Sequence, residues 1–157
     1  MAKPEAVFSS ELRSDLEYVF GKDIFVYLIH NQIRTGKKPF DFLFLHKEKF
    51  YAIECKLIKG NSINIRNDIK SHQPEFLRKV IHCGGIGLFC VGFKKYKKAF
   101  LYTPDSLDYF VEMCKTDAIP FELFEKVCCD HPQRIICIER KKVMKYTRWE
   151  VEKIVNS

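Results

Sequence analysis

An α/β fold, a central mixed sheet flanked by helices, is predicted for this chain by three observations. Apolar residues recur at helical spacing near the start, at Phe8, Leu12, Leu16, Val19 and Phe20. Two short aromatic and aliphatic runs then follow each other, Phe42-Leu43-Phe44-Leu45 and Phe50-Tyr51-Ala52-Ile53, in the pattern of buried strands. A further buried run, Ile86-Gly87-Leu88-Phe89, comes only after a stretch with helical periodicity, so helices and strands alternate along the chain.

Taken in order, residues from about 5 to 20 form an amphipathic helix whose polar, solvated face carries Glu11, Asp15 and Glu17. Strands follow at about 24–29, 41–46 and 50–56, the last two joined by a short polar turn as a hairpin. Residues 60–67, rich in Asn, Ser and Gly, read as a flexible loop. A helix over 72–82 is capped by Ser71, and strands at 86–93 and 98–102 come next. Thr103-Pro104 opens a helix containing Leu107, Phe110, Val111 and Cys114, because a Thr cap followed by Pro in the first turn suits a helix start. Residues 135–138 form a short strand, and Thr147 caps a last helix that buries Trp149 and Ile154. The single Trp and most of the fourteen Phe residues belong to the core.

The 157 residues suit one domain, 1–157, and a hydrophobic fraction of 46% excludes an intrinsically disordered chain. The formal charge of +7 is clustered at Lys37-Lys38, between Lys59 and Lys70, between Lys94 and Lys98, and between Arg140 and Lys145. Clustered Lys and Arg favour a polyanion by releasing its counterions. No apolar stretch reaches the length of a membrane span, and residues 1–5 lead into polar sequence without a signal-peptide core; a cytoplasmic protein is expected. The seven cysteines mostly lie in apolar runs, which suits reduced thiols. A zinc site from Cys114, Cys128, Cys129, His131 and Cys137 is a weaker reading, since paired Cys-x-x-Cys spacing is missing.

Chemistry concentrates at Asp41, Glu54 and Lys56. Side chains two apart on a strand share a face, so Glu54 and Lys56 project together at the end of their run. In a hairpin, Asp41 at the start of one strand meets Glu54 at the end of the next. Two carboxylates can hold a hard divalent cation such as Mg2+, which keeps several of its waters, while an adjacent ammonium offsets charge developing on a phosphate. Lys37, Lys38, Lys59, Asn61, Ser62, Asn64, Arg66 and Lys70 are suited to phosphate contacts, which set register on a nucleic acid without reading its sequence.

These residues resemble a family. From Pro39 to Phe93 the chain is similar to the RecU-type Holliday junction resolvases of the PD-(D/E)XK nuclease superfamily. The likeness is carried by Asp41, Glu54 and Lys56, then His72-Gln73, then Phe76 to Ile81 and Gly84-Gly85-Ile86-Gly87-Leu88-Phe89, with Ala118-Ile119-Pro120-Phe121 further on. The resemblance implies a PD-(D/E)XK nuclease core and an Mg2+-dependent endonuclease, with Mn2+ substituting, that works as a homodimer on branched DNA. It implies that Asp41, Glu54 and Gln73 ligate the metal, that Lys56 stabilises the transition state, and that a Glu of the first helix approaches the metal, with Glu11 the candidate. Pro39 stands where the family commonly has a metal-binding Thr, and only residues 30–38 occupy the place of its long junction-reaching stalk. Two alternatives stay open: a restriction- or repair-type nuclease on duplex or single-stranded DNA, and a non-catalytic DNA-binding protein with the nuclease fold.

Overall fold

In the computed structural model, which describes residues 2–31 and 36–157, helix α1 (Pro4–Phe20) buries Phe8, Leu12 and Leu16 along one stripe. Proline in its first turn gives up an N–H that has no helical partner there. The chain leaves α1 through Gly21 at φ 52, a left-handed value that glycine adopts without steric cost. It then runs through β1 (Ile24–Leu28), β2 (Phe42–His46) and β3 (Lys49–Ile58), which pair antiparallel in sequence. After β4 (Ser62–Asn64) and the single turn α2 (Ile65–Asp68), helix α3 (His72–His82) carries the chain back, so that β5 (Ile86–Phe93) lies parallel to β3. Next come β6 (Lys98–Tyr102), α4 (Pro104–Cys114), β7 (Ala118–Pro120), α5 (Phe121–Asp130), β8 (Ile135–Val143), β9 (Tyr146–Trp149) and α6 (Glu152–Val155).

Among the described residues the main sheet is mixed and seven-stranded, in the order β1-β2-β3-β5-β6-β8-β9, and β4 pairs with β7 in a small sheet of its own. The parallel pair β3 and β5 sits near the centre and is buried on both faces, which is why both strands read as nearly continuous apolar runs. One face packs Phe42, Phe44, Ile53, Cys90 and Leu101 against α1 and against Val151 and Ile154 near the C-terminal end. The other packs Ala52, Phe89, Phe93 and Phe100 against Leu77 of α3, Phe110 of α4 and Phe124 of α5.

Two glycines of β5 set how closely the helices approach. A Cβ at Gly92 would lie 2.8 Å from the Phe8 ring of α1, and one at Gly87 would lie 2.6 Å from the Leu77 carbonyl oxygen of α3. Alternate residues of a strand face opposite sides. The bare backbone of β5 therefore admits α1 on one face and α3 on the other.

The expected helix at the start, the hairpin, the 72–82 helix and the 86–93 and 98–102 strands are all present. Thr103 caps α4 by accepting the Ser106 N–H at 3.3 Å. Four expectations are corrected. Residues 60–67 are ordered by β4 and α2, because the fully buried Ile63 pairs with Ile119 and the Asn64 side chain accepts from the Asn67 N–H. Ser71 is already helical, at φ −54 and ψ −34, and makes no cap bond. Its place is taken by Gln73, whose side-chain oxygen accepts the Lys70 N–H at 2.9 Å, one half of a capping box. Thr147 caps nothing: residues 146–149 are a strand, so Trp149 is buried from β9, and only Ile154 keeps its helical place, in α6. Asp15 is buried, not solvated, and accepts from Arg148 Nη1 at 2.8 Å and the Trp149 N–H at 2.9 Å. Of the segment 30–38, residues 32–35 lie outside the described residues.

Because a backbone carbonyl cannot swing aside as a ring can, Gly87→Ala is expected to destabilise more than Gly92→Ala. Overpacking of this kind costs about 1–3 kcal/mol, and urea unfolding of the two variants beside wild type checks the order. Equal stability of all three would remove close helix approach as the role of these glycines.

Candidate metal centre and nucleic-acid interface

Asp41 ends the β2–β3 ladder. Its N–H donates to the Ile53 carbonyl at 3.0 Å, and where the next strand carbonyl would serve, its own Oδ2 accepts the Cys55 N–H at 2.7 Å. That bond pins the carboxylate beside Glu54, the preceding residue of β3. Glu54 and Lys56 lie on one face of β3, and Lys56 Nζ is 3.1 Å from Glu54 Oε1. From the first turn of α3, Gln73 donates its side-chain amide to the same Glu54 oxygen. From the first turn of α1, Glu5 brings a third carboxylate to 3.8 Å from Lys56 Nζ. Oxygens of Glu5, Asp41 and Glu54 all lie within 4.8 Å of one another. The floor is buried, while Lys3, Lys37, Lys38, Lys70 and His72 rim a cleft of about 390 Å3 above it.

The electrostatics follow from burial. Glu54 is 1% exposed. Loss of water, with the Asp41 charge added, pushes its carboxyl up to about 7 against the pull of Lys56 and Lys38. Its Oε2 is buried without a hydrogen-bond partner. Lys38 pairs with Asp41 Oδ1; burial works against its charge, but the hydrogen bond and charge of Asp41 override it and hold the ammonium above its usual range. His72 is held below its usual range by burial and by Lys37 and Lys70. Three clustered carboxylates with one orphaned buried oxygen are hard donors, and they fit a hard divalent cation. Among the described residues this is the only group of three or more His, Cys, Asp and Glu side chains close enough to share an ion.

Asp41, Glu54, Lys56 and Gln73 are thus brought together, as are Lys37, Lys38 and Lys70 at the rim. Three placements differ from expectation. Glu11 is not at the cluster: it accepts from Trp149 Nε1 at 3.2 Å and faces Arg140 at 3.7 Å, so the carboxylate delivered by α1 is Glu5. Glu5 stands six residues earlier in the same helix, and Pro4-Glu5 at a helix start was the signal for it, since acidic residues favour a first turn. The Gln73 oxygen is engaged by the Lys70 N–H, so the residue meets Glu54 through its amide nitrogen and holds that carboxylate in place. Lys59, Asn61, Ser62 and Arg66 do not line the cleft; Asn61 accepts from Tyr96 and Lys95, and Arg66 pairs with Asp117 at 2.6 Å. The cysteines form no zinc cluster among the described residues, and Cys83 and Cys129 are exposed. No helix among the described residues is long and apolar enough to cross a membrane.

A family model described as "Recombination protein U" matches residues 23–148. No curated protein matches the chain in sequence. Among solved structures, Hjc of Archaeoglobus fulgidus, a Holliday junction resolvase from an archaeal hyperthermophile, is similar at 15% identity and a TM-score of 0.44. That similarity covers 62% of this chain and 78% of Hjc.

The raised carboxyl of Glu54 gives a signed pH effect. Between its ordinary value of 4.5 and about 7, the folded state holds a proton that the unfolded state has released. The stabilisation is therefore complete below 4.5 and is lost as pH rises through 7, by about 3 kcal/mol in all. In chelator, Glu54→Gln is expected to flatten this fall and to melt above wild type at pH 8. Parallel melting-temperature profiles from pH 5 to 8 would refute it.

Proposed function

The chain belongs to the Recombination protein U (RecU) family, and from that premise we propose that it is an Mg2+-dependent DNA endonuclease that resolves four-way junctions, with Mn2+ able to substitute. The observation that carries the reading is the meeting of Glu5, Asp41 and Glu54 beside the Lys56 ammonium, with a buried Glu54 oxygen left unpartnered. Asp41, Glu54 and Glu5 would hold the cation, which when bound polarises a phosphate and lowers the pKa of an attacking water.

The chain's own residues supply the remainder. Gln73 and Lys56 fix Glu54 Oε1, so the carboxylate cannot rotate away. The Cys55 N–H fixes Asp41. Lys56 is buried beside the cluster, where an ammonium stabilises charge gathering on a phosphate more strongly than it would in water. Lys37, Lys70 and His72, which line the rim, would contact the flanking backbone. Two nicks in strands of like polarity call for two sites related by a two-fold axis, so the working form is a homodimer. A single cytoplasmic domain acting on branched DNA completes the reading. The brevity of residues 30–38 favours a second reading, a nuclease of linear duplex or single strands.

Cleavage of an end-labelled four-way junction beside matched linear duplex, in Mg2+ and in chelator, tests the proposal. Wild type is expected to make paired, metal-dependent nicks in the junction, and Asp41→Asn none. Lys56→Ala loses about 100- to 1000-fold in rate, and Gln73→Ala about 10- to 100-fold. Glu5→Gln is impaired while Glu11→Gln cuts as wild type does. Binding without cutting in any metal would leave a DNA-binding module, and equal cutting of linear duplex would discard the junction.

A further inference from the structure

Beyond the metal cleft, Lys and Arg are concentrated again in the β8–β9 hairpin. Residues 140–149 contain Arg140, Lys141, Lys142, Lys145 and Arg148 and no acidic residue. Arg140 pairs with Glu11, Lys141 with Glu150, and Arg148 with Asp15 while stacking on Tyr18 at 3.6 Å. Lys142 and Lys145 make no ion pair among the described residues. Between these cations the tip is apolar: Met144 is 85% exposed and Tyr146 54%. Tyr146 lies beneath Lys145 and Arg148, whose cations sit 5.4 and 5.5 Å from its ring centre, while Met144 at the point of the hairpin projects into water.

Strand register places this hairpin at the active end of the sheet. Ile58 of β3 aligns with Phe93 of β5, Phe93 with Lys98 of β6, and Lys98 with Glu139 of β8. β6 is antiparallel to both β5 and β8, so β8 points the same way as β3, toward the end where Glu54 and Lys56 lie. The hairpin overshoots the Ile58 to Glu139 row by residues 140–143, about 13 Å, and stands three strand spacings, about 14 Å, from β3. A groove of about 460 Å3 lies in between, with Leu57, Phe93 and Trp149 in its walls and Lys94, Lys97 and Arg140 along it. Lys94 and Lys97 also make no ion pair among the described residues.

We infer that the β8–β9 hairpin is a DNA-binding wing: Lys142 and Lys145 contact phosphates of the same branched DNA that enters the metal cleft, and Met144 with Tyr146 packs against bases unstacked at the branch. The inference rests on the nuclease reading and deepens it by naming how a branch is recognised with so short a segment at residues 30–38. A two-stranded ribbon fits the DNA major groove, and apolar side chains such as Met wedge between base steps where stacking is already broken.

The test is fluorescence anisotropy with a labelled four-way junction and a matched linear duplex, in chelator over a series of salt concentrations, with cleavage in Mg2+ alongside. For Lys142→Glu/Lys145→Glu, affinity for both DNAs is expected to fall at least about 10-fold, and the slope of log K against log salt to shrink by about 2. For Met144→Ser, preference for the junction falls while duplex affinity and salt slope stay at wild type. Both sets of positions are exposed, and thermal melts matching wild type confine the effect to binding; Lys142→Ala/Lys145→Ala replaces the charge reversal if its melt shifts. Wild type that binds and cuts junctions, with tip variants unchanged in affinity, slope and preference, overturns the wing and leaves the nuclease standing. Wild type that neither binds nor cuts DNA overturns both.

Discussion

The Glu54 carboxylate, buried in the middle of the sheet, is the constraint to which its surroundings answer. A lone carboxylate at that depth is strongly disfavoured. Lys56 and Gln73 share one of its oxygens, and Lys38 neutralises Asp41 beside it. The second Glu54 oxygen is left without a partner. Its ionisation is consequently poised near neutrality, within reach of a divalent cation that would take the place of a proton.

Holding such a site together takes elements from both faces of the sheet. Asp41, just ahead of β2, meets Glu54 and Lys56 of the adjacent β3, but Glu5 comes from a helix on one face and Gln73 from a helix on the other. Both helices must come close to β5, and the backbone of Gly87 and Gly92 lets them do so. The cleft thus depends on packing distances some way below it. Beneath it lies a densely aromatic core, in which Phe93, Phe100, Phe110, Phe121 and Phe124 meet ring to ring.

Positive charge is distributed to match. At the cleft, Lys3, Lys37, Lys38 and Lys70 surround an acidic floor. Along the same end of the sheet Lys94 and Lys97 continue the basic surface to the β8–β9 hairpin. Acidic residues in the floor and basic residues around it suit two separate tasks, since carboxylates are hard donors for a cation and ammonium groups are suited to a phosphate backbone.

The strands, the 72–82 helix, Asp41 beside Glu54 and the shared face of Glu54 and Lys56 were legible from the residues alone. Local periodicity and hairpin geometry determine them, and those act over a few residues. The resemblance to RecU-type resolvases, read on the same residues and on His72-Gln73, agrees with the family match. Glu5 was missed in favour of Glu11 because a helix shows its polar face in sequence, while the end of that face that meets the sheet depends on its crossing. Here Glu11 is drawn off to Trp149 and Arg140. The Gln73 amide orientation, β4 with α2 and the long β8–β9 hairpin escaped for a related reason. The first two are set by partners distant in the chain, Glu54 and residues 118–120, and the root of the hairpin by pairing of residues 135–139 with β6, while its basic strands 140–143 and 146–149 lack the apolar alternation that marks a strand. By itself the sequence determined which residue types the chain carries and which of them short-range structure pairs. Tertiary packing decided which helix end reaches the metal cleft and which hairpin stands beside it, because those contacts join residues far apart along the chain.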